Sequence, residues 1–382
     1  LILAVVCYVW CFANHEGAAA VNELYIIPDF SKMKDVKLWG EAALLAFYTL
    51  FPNWGTLTTL GSFNMDKDNF HQDSFLAPVG CFLISCFLGL LPAMLTGIVA
   101  QNMNLTPAQL LSYGPNLIFV ASAQGLTYVK TGPLWSCFFY LILIILGIST
   151  LMWMVETVVT AIVDLYPERL RPLRFSILLA VSCTSILIGF AFISASGLYA
   201  VLLFEHYVSR WNVLILALIE VCVVAGIYGI TKFHYLLIHL VNFETPVFLW
   251  RIFFCGVIPD MLILMIIYSF AVWKPTSFGE YVFSPWSQAI GWILALIPLV
   301  TVIICAVYVF LKTAGETLKM KLQYGVKPTP EWPSGGDPPP AVTILQEGAE
   351  PEIDPEVTPY RIEKISATEP AIKPGKVRLF CK

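Results

Sequence analysis

The sequence predicts an all-α, polytopic membrane protein, and three observations carry that prediction. Of 382 residues, 58% are hydrophobic and only 13% are charged, against roughly 25% charged in a soluble domain. The mean hydropathy is +0.76. Apolar runs of roughly 20 residues recur along the chain, each long enough as a helix to cross a hydrocarbon core about 30 Å thick. A formal net charge of -4, with no Lys or Arg run, gives nucleic acid no basic face, so the lipid bilayer is the expected environment.

The first apolar run, LILAVVCYVWCF from Leu1, lacks the basic flank and cleavage site of a signal peptide and reads as part of a span. Hydropathy places full spans at 38–64, 73–101, 134–164, 174–203, 212–236, 247–273 and 286–313, so that residues 1–313 form the transmembrane region. From residue 314 the composition changes: Pro328, Pro330, Pro333, Pro338, Pro339, Pro340, Pro351 and Pro355 stand among Glu and Lys. That segment, 314–382, cannot bury a core and is expected to be a disordered cytoplasmic tail. Lys67, Arg169, Arg171, Arg174, Lys232, Arg251, Lys312, Lys319 and Lys321 fall on one side of the spans. Lys32, Lys34, Lys37, Lys130, Arg210 and Lys274 fall on the other, which makes the first side cytoplasmic. The sequon Asn104-Leu105-Thr106 lies opposite, in the loop 102–133, as a candidate glycosylation site that the following Pro107 weakens. Nine of the ten cysteines lie in or beside apolar stretches without a CxxC pair, and read as small membrane-embedded hydrophobes.

Chemistry concentrates in a few places. Phe51-Pro52-Asn53-Trp54-Gly55 interrupts the span 38–64 near its middle. Pro52 has no N–H, disfavours helical geometry at Phe51 and frees carbonyls near Tyr48, so exposed backbone there must meet protein, water or an ion. The break is either a kink repaired by neighbouring helices or the ligand-bearing discontinuity of a transporter helix. In the span 134–164, Ser149, Trp153, Glu156, Thr160 and Asp164 fall within about 80° of one another at 100° per residue. An acid at membrane depth costs about 2.5–3.5 kcal/mol, so Glu156 should face a polar interior, in a structural hydrogen bond rather than on a solute. Asp164 reads as a cytoplasmic-boundary residue. Glu220 is either an intramembrane acid or an outer-boundary residue, and Asp260, after Pro259, reads as a boundary or kink carboxylate. No HExxH, GxSxG, Walker loop or GxGxxG is present, which leaves an enzyme reading unsupported.

The chain resembles the second half of a sodium/neurotransmitter symporter, the family of amine, GABA, glycine and amino-acid carriers. Gly17-Ala18 and Tyr25-Ile26-Ile27-Pro28-Asp29 resemble the approach to the family's sixth helix, and Trp39-Gly40-Glu41-Ala42-Ala43 through Gly61-Ser62-Phe63-Asn64 the broken sixth helix itself. Gln72-Asp73 opens the seventh. Leu146-Gly147, Glu156, Thr160-Ala161, Asp164 and Pro167 are similar to the eighth. Ala217-Leu218-Ile219-Glu220 with Tyr228-Gly229-Ile230-Thr231 are similar to the tenth, and Trp250-Arg251-Ile252, Gly291-Trp292 and Pro330-Glu331-Trp332 to the end.

The resemblance implies a LeuT-type fold of two inverted five-helix repeats plus two helices, of which this chain would hold the second repeat (helices 6–10) and helices 11–12. The first repeat would lie upstream of Leu1, so the chain is expected to be a fragment that does not transport alone. The resemblance further implies a sodium site with the Leu146 backbone and the hydroxyls of Ser149 and Thr150. In the other sodium site Thr49 keeps its hydroxyl, while Cys81 replaces an Asn and offers a poor sulfur ligand. Thr49 and Ser85 occupy chloride-binding positions, with Leu45 where the family has Gln. Tyr48, Phe51, Trp54, Thr150 and Met154 occupy solute-contact positions. Phe51 stands where Gly or Ser is usual, which implies a small apolar pocket. Glu220 and Asp164 occupy the outer- and inner-gate acid positions, and Phe63 replaces a Tyr near the inner gate. The implied function is sodium-coupled symport of a small amino-acid-like or neurotransmitter-like solute across the plasma membrane; the alternative is a non-transporting homologue with a regulatory or binding role.

Overall fold

The computed structural model describes residues 2–14, 25–50, 52–63, 70–105, 110, 117–194, 196–241, 246–278, 281–313 and 317–326. Among the described residues the architecture is helical, apart from a two-stranded ribbon, β1 (Ser277–Phe278) antiparallel to β2 (Tyr281–Val282). Six helical segments among the described residues are long and apolar enough to cross a membrane: Gln72–Met103, Gly132–Leu165, Arg174–Ile193, Gly197–Ile238, Val247–Ala271 and Pro285–Lys312. The chain is thus a multi-pass membrane protein.

Helix α1 (Ile2–Asn14) is a short apolar segment. Before the next helix, Asp29 caps a 3-10 turn, Phe30–Lys34. The Ser31 amide and hydroxyl both donate to Asp29 and hold its carboxyl below the usual carboxylate range. The expected span 38–64 is two pieces, α2 (Val36–Leu50) and α3 (Thr56–Gly61). The 15 residues of α2 reach only about 22 Å at 1.5 Å per residue, so neither piece crosses alone. Helix α4 (Phe70–Met103) follows, then α5 (Ser122–Tyr128) and the long α6 (Gly132–Leu165).

The span expected at 174–203 is a correction. Helix α7 (Arg174–Ile193) ends early and α8 (Gly197–Val208) is separate. Ser194 donates its hydroxyl to Ala191 O at 2.8 Å and its carbonyl accepts from Gly197 N at 2.8 Å. Such local bonds compete with the helical ladder. Next come α9 (Trp211–Cys222), a π-helical stretch Val223–Gly229 and α10 (Ile230–Val241). Helix α11 (Val247–Ile252) leads through a π-helical turn, Phe253–Val257, into α12 (Ile258–Ala271). Helix α13 (Pro285–Lys312) is the last long one among the described residues. The first part of the segment expected to be structureless forms α14 (Leu318–Gly325); residues 327–382 lie outside the described residues.

Three of the apolar clusters among the described residues hold these helices together. Cys7, Cys11, Met94, Leu95, Leu126 and Trp135 join α1, α4, α5 and α6. Leu203, Tyr207, Trp211, Phe283 and Ala295 join α8, α9 and α13. The cluster that positions the site is Leu44 of α2 with Leu214 and Ala217 of α9 and Leu262 and Met265 of α12. In lipid, association rests on close van der Waals contact and interhelical hydrogen bonds rather than on removing apolar surface from water. Gly40 supplies that closeness: a Cβ there would sit 2.5 Å from the ring of Tyr268. Because α2 approaches α12 so nearly, the Tyr268 hydroxyl lies 3.2 Å from Lys37 O and 3.0 Å from Glu41 Oε1, within donating reach of both.

Candidate functional site

The site is built around the gap between α2 and α3. Pro52 cannot continue the hydrogen-bond ladder, and two left-handed residues complete the break, Asn53 at φ 64 and Gly55 at φ 78. Asn tolerates that region better than most L-residues, and Gly adopts it freely. Gly55 then starts α3, its carbonyl accepting from Thr59 N at 2.9 Å. Phe51 lies outside the described residues.

Two neighbouring helices hold the broken segment. On one side, with its amide oriented to suit both partners, Asn53 donates through Nδ2 to Glu220 Oε2, and its Oδ1 accepts from Ala217 N at 2.8 Å. Both partners belong to α9. On the other side, a Cβ on Gly55 would lie 3.2 Å from Thr157 Cγ2 of α6. The hydroxyls of Thr56 and Thr157 stand 3.4 Å apart, and Thr157 donates to Trp153 O at 2.8 Å. Non-helical backbone at membrane depth is tolerated where protein surrounds it or a cavity borders it, and both conditions hold.

The cavity, about 490 Å³, opens beside the break. Three of the five expected solute contacts line it together: Tyr48, Trp54 and Met154. They are joined by charged residues that sequence reasoning missed as a group, Glu41 of α2, Glu205 of α8 and Arg210 at the turn into α9. Of the other two expected contacts, Thr150 is not among the described lining residues and Phe51 lies outside the described residues.

The expected sodium ligands form a local group on α6. Thr150 Oγ1 donates to Leu146 O at 3.1 Å, and Ser149 Oγ donates to Ile145 O at 2.8 Å. Leu146, Ser149 and Thr150 are all exposed. A hydroxyl that donates back to its own helix keeps lone pairs for a cation, and neutral oxygens suit a hard ion, so the donor set fits sodium. Thr49 donates its hydroxyl to Leu45 O at 2.8 Å. Thr49 and Ser85 are both exposed, and no hydrogen bond among the described residues joins them.

The acids separate into different roles. Glu220 meets the break through Asn53. Glu156 is ion-paired with Arg174 of α7, as an interhelical tie should be, and the Arg174 guanidinium lies 5.7 Å above the ring of Phe63 at the end of α3. Asp164 is exposed at the end of α6, beside a shallow cavity of about 380 Å³ that Tyr166, Glu168 and Arg169 also line. Asn104 is exposed just beyond α4, at φ 52, while Thr106 of its sequon lies outside the described residues.

A family model for the sodium:neurotransmitter symporter family matches residues 2–313. The chain belongs to that family. Among its relatives, the sodium- and chloride-dependent glycine transporter 2 of Xenopus laevis is 28% identical over 308 residues, 81% of this chain and 39% of the relative. The sodium- and chloride-dependent glycine transporter 1 of Xenopus laevis is 28% identical over 321 residues, 83% of this chain and 50% of the relative. The chain thus spans half or less of the length of these curated relatives.

Proposed function

We propose that this chain supplies the second-repeat share of a sodium-coupled symporter for a small amino-acid-like or neurotransmitter-like solute in the plasma membrane, with residues 1–313 as the working part and 314–382 as a cytoplasmic tail. The observation that carries the reading is the α2–α3 break, held by Asn53 on α9 and Gly55 on α6, beside a cavity of about 490 Å³. Solute binds in that cavity against Tyr48, Trp54 and Met154. Sodium, the co-transported ion, is held on α6 by Leu146 O, Ser149 Oγ and Thr150 Oγ1. Thr49 is assigned to a second ion position, and Thr49 and Ser85 to chloride, the ion named in both glycine transporter relatives.

Coupling requires that sodium stabilise one arrangement of the helices more than another, since a ligand with equal affinity for two states shifts neither. The break suits this role. A short helix pinned by one side chain to α9 and by close contact to α6 can move with either neighbour without breaking a continuous helical ladder. Glu220 and Asp164 serve as the outer and inner closing acids.

The test uses the complete open reading frame that contains this chain, expressed in oocytes, with radiolabelled amino acids and amines offered in sodium and in choline medium. Uptake in sodium alone is the expected outcome; uptake unaffected by replacing sodium removes the coupling claim. The replacement of an ion ligand by Cys81 favours a second reading, a homologue that keeps the fold and transports nothing. Silence across the panel despite surface expression selects it.

A further inference from the structure

Far along the chain from the broken helix, α13 and α14 build a cavity of their own. Helix α13 ends its apolar span at Lys312, and α14 packs against that end: a Cβ on Gly325 would stand 3.3 Å from Thr313 Oγ1. In the corner lies a cleft of about 550 Å³. Its α13 wall is apolar, formed by Cys305, Ala306, Val309 and Phe310, which share one helix face at i, i+1, i+4 and i+5. Cys305, Ala306 and Val309 are exposed within the span, so this wall is open to hydrocarbon. On the α14 side the cleft is lined by Lys321 and, one turn on, Gly325. Lys321 is the one charged side chain among the described lining residues. It is half-buried and forms no ion pair with a described residue. Lys319 is exposed and is not among the described lining residues. Met320 and Tyr324, one turn apart, add exposed apolar surface to α14, as a helix lying in a membrane interface does.

An ammonium group beside an apolar wall calls for an anion, and a compact lysine charge suits a phosphate. The order of the parts decides which anion. An apolar trough begins inside the span and ends on a cation just beyond it, which matches an acyl chain followed by a phosphate. A small soluble anion would meet Lys321 and leave the trough unmatched. A zwitterionic phospholipid would cover the trough and bring a second cationic group up to Lys321. We propose that this corner is a site for one anionic phospholipid, its acyl chain along Cys305, Ala306, Val309 and Phe310 and its headgroup phosphate on Lys321. The side of the membrane agrees, because the segment 314–382 is assigned above to the cytoplasm and the cytoplasmic leaflet carries the anionic lipids. The site stands apart from the carrier reading and holds whether or not the protein transports.

The experiment purifies the product of the complete reading frame in a neutral detergent and titrates it with dioleoyl phosphatidylglycerol. Dioleoyl phosphatidylcholine and the soluble headgroup glycerophosphoglycerol are titrated alongside. Bound lipid is counted by native mass spectrometry and the thermal midpoint is followed in parallel. Phosphatidylglycerol should bind and raise the midpoint, phosphatidylcholine should do so only at higher concentration, and the headgroup alone should do neither. Lys321→Gln should move the half-effective phosphatidylglycerol concentration up by about fivefold, the share of one lysine at a membrane surface. Lys319→Gln should leave it nearly unchanged. Ala306→Trp, which fills the cleft without altering charge, should weaken phosphatidylglycerol binding as well, and it carries the test if Lys321→Gln does not fold. Equal shifts in the Lys319 and Lys321 variants would reduce the effect to surface charge and overturn the proposal. So would phosphatidylcholine binding as tightly as phosphatidylglycerol, a headgroup that matches the whole lipid, or Ala306→Trp titrating like the parent. Binding that appears only after residues 327–382 are removed would give the cleft to the chain's own tail, and would overturn it too.

Discussion

Consider a double-mutant cycle on Asn53 and Glu220, the link between the break and α9. Asn53→Gly is the suitable truncation, because glycine keeps the φ of 64 without strain while removing both side-chain bonds. A hydrogen bond to a charged partner contributes about 1.5–3 kcal/mol; because Glu220 is exposed, solvent screening discounts it to about 1–2 kcal/mol. The bond from Ala217 N adds about 1 kcal/mol. Asn53→Gly should therefore cost about 2–3 kcal/mol and Glu220→Ala about 1–2 kcal/mol. The double variant should cost about 1–2 kcal/mol less than their sum, because the shared bond is lost once. Asn53→Ala should be worse than Asn53→Gly, since a left-handed backbone costs alanine about 1–2 kcal/mol. Equilibrium unfolding of the purified protein in mixed detergent micelles reads all four. Additivity within about 0.5 kcal/mol would refute the link and with it the claim that Asn53 fastens the break.

Two further outcomes follow from the same geometry. Gly55→Ala should lose about 1–2 kcal/mol through its left-handed backbone, plus the crowding against Thr157, so Thr157→Ser in the same chain recovers only part of the loss; full recovery would show the backbone to be unstrained. Glu156→Gln and Arg174→Gln should each cost about 1 kcal/mol, discounted because the Arg174 side chain is 47% exposed. Their double variant should cost less than the sum in a thermal-midpoint series, and independent effects would dissolve the α6–α7 tie.

The break was legible in the sequence because its causes are local: Pro52 has no N–H wherever it stands, and Gly55 is the residue that a left-handed helix start favours. The Glu156 tie was legible in kind, since an acid at depth needs a partner, but Arg174 counted only as a flanking positive charge. The link from Asn53 to Glu220 was not legible, because nothing near Asn53 in sequence indicates which helix lies beside it. Arg210 was hidden for the same reason; hydropathy sees a charge at a span boundary, while the cavity it lines is shared with residues of α2, α6 and α8. The π-helical stretches escaped because Val223–Gly229 and Phe253–Val257 are largely apolar all round, so there is no polar face whose displacement reveals an extra residue per turn. The end of α7 escaped because Ser194, Ser196 and Gly197 barely lower a window average. Helix α14 was averaged into a proline-rich composition that begins just after it.

The central claim is that the oxygens of Leu146, Ser149 and Thr150 on α6 hold sodium, and a sodium titration of thermal stability tests it most directly. Because a ligand stabilises only the form that binds it, the midpoint of the full-length protein should rise with sodium and not with equal potassium. Thr150→Val or Ser149→Ala should move the half-effective sodium concentration up by about tenfold, the equivalent of about 1.4 kcal/mol. A rise of the same size at the same concentrations in both variants, or an equal rise with potassium, would contradict the account.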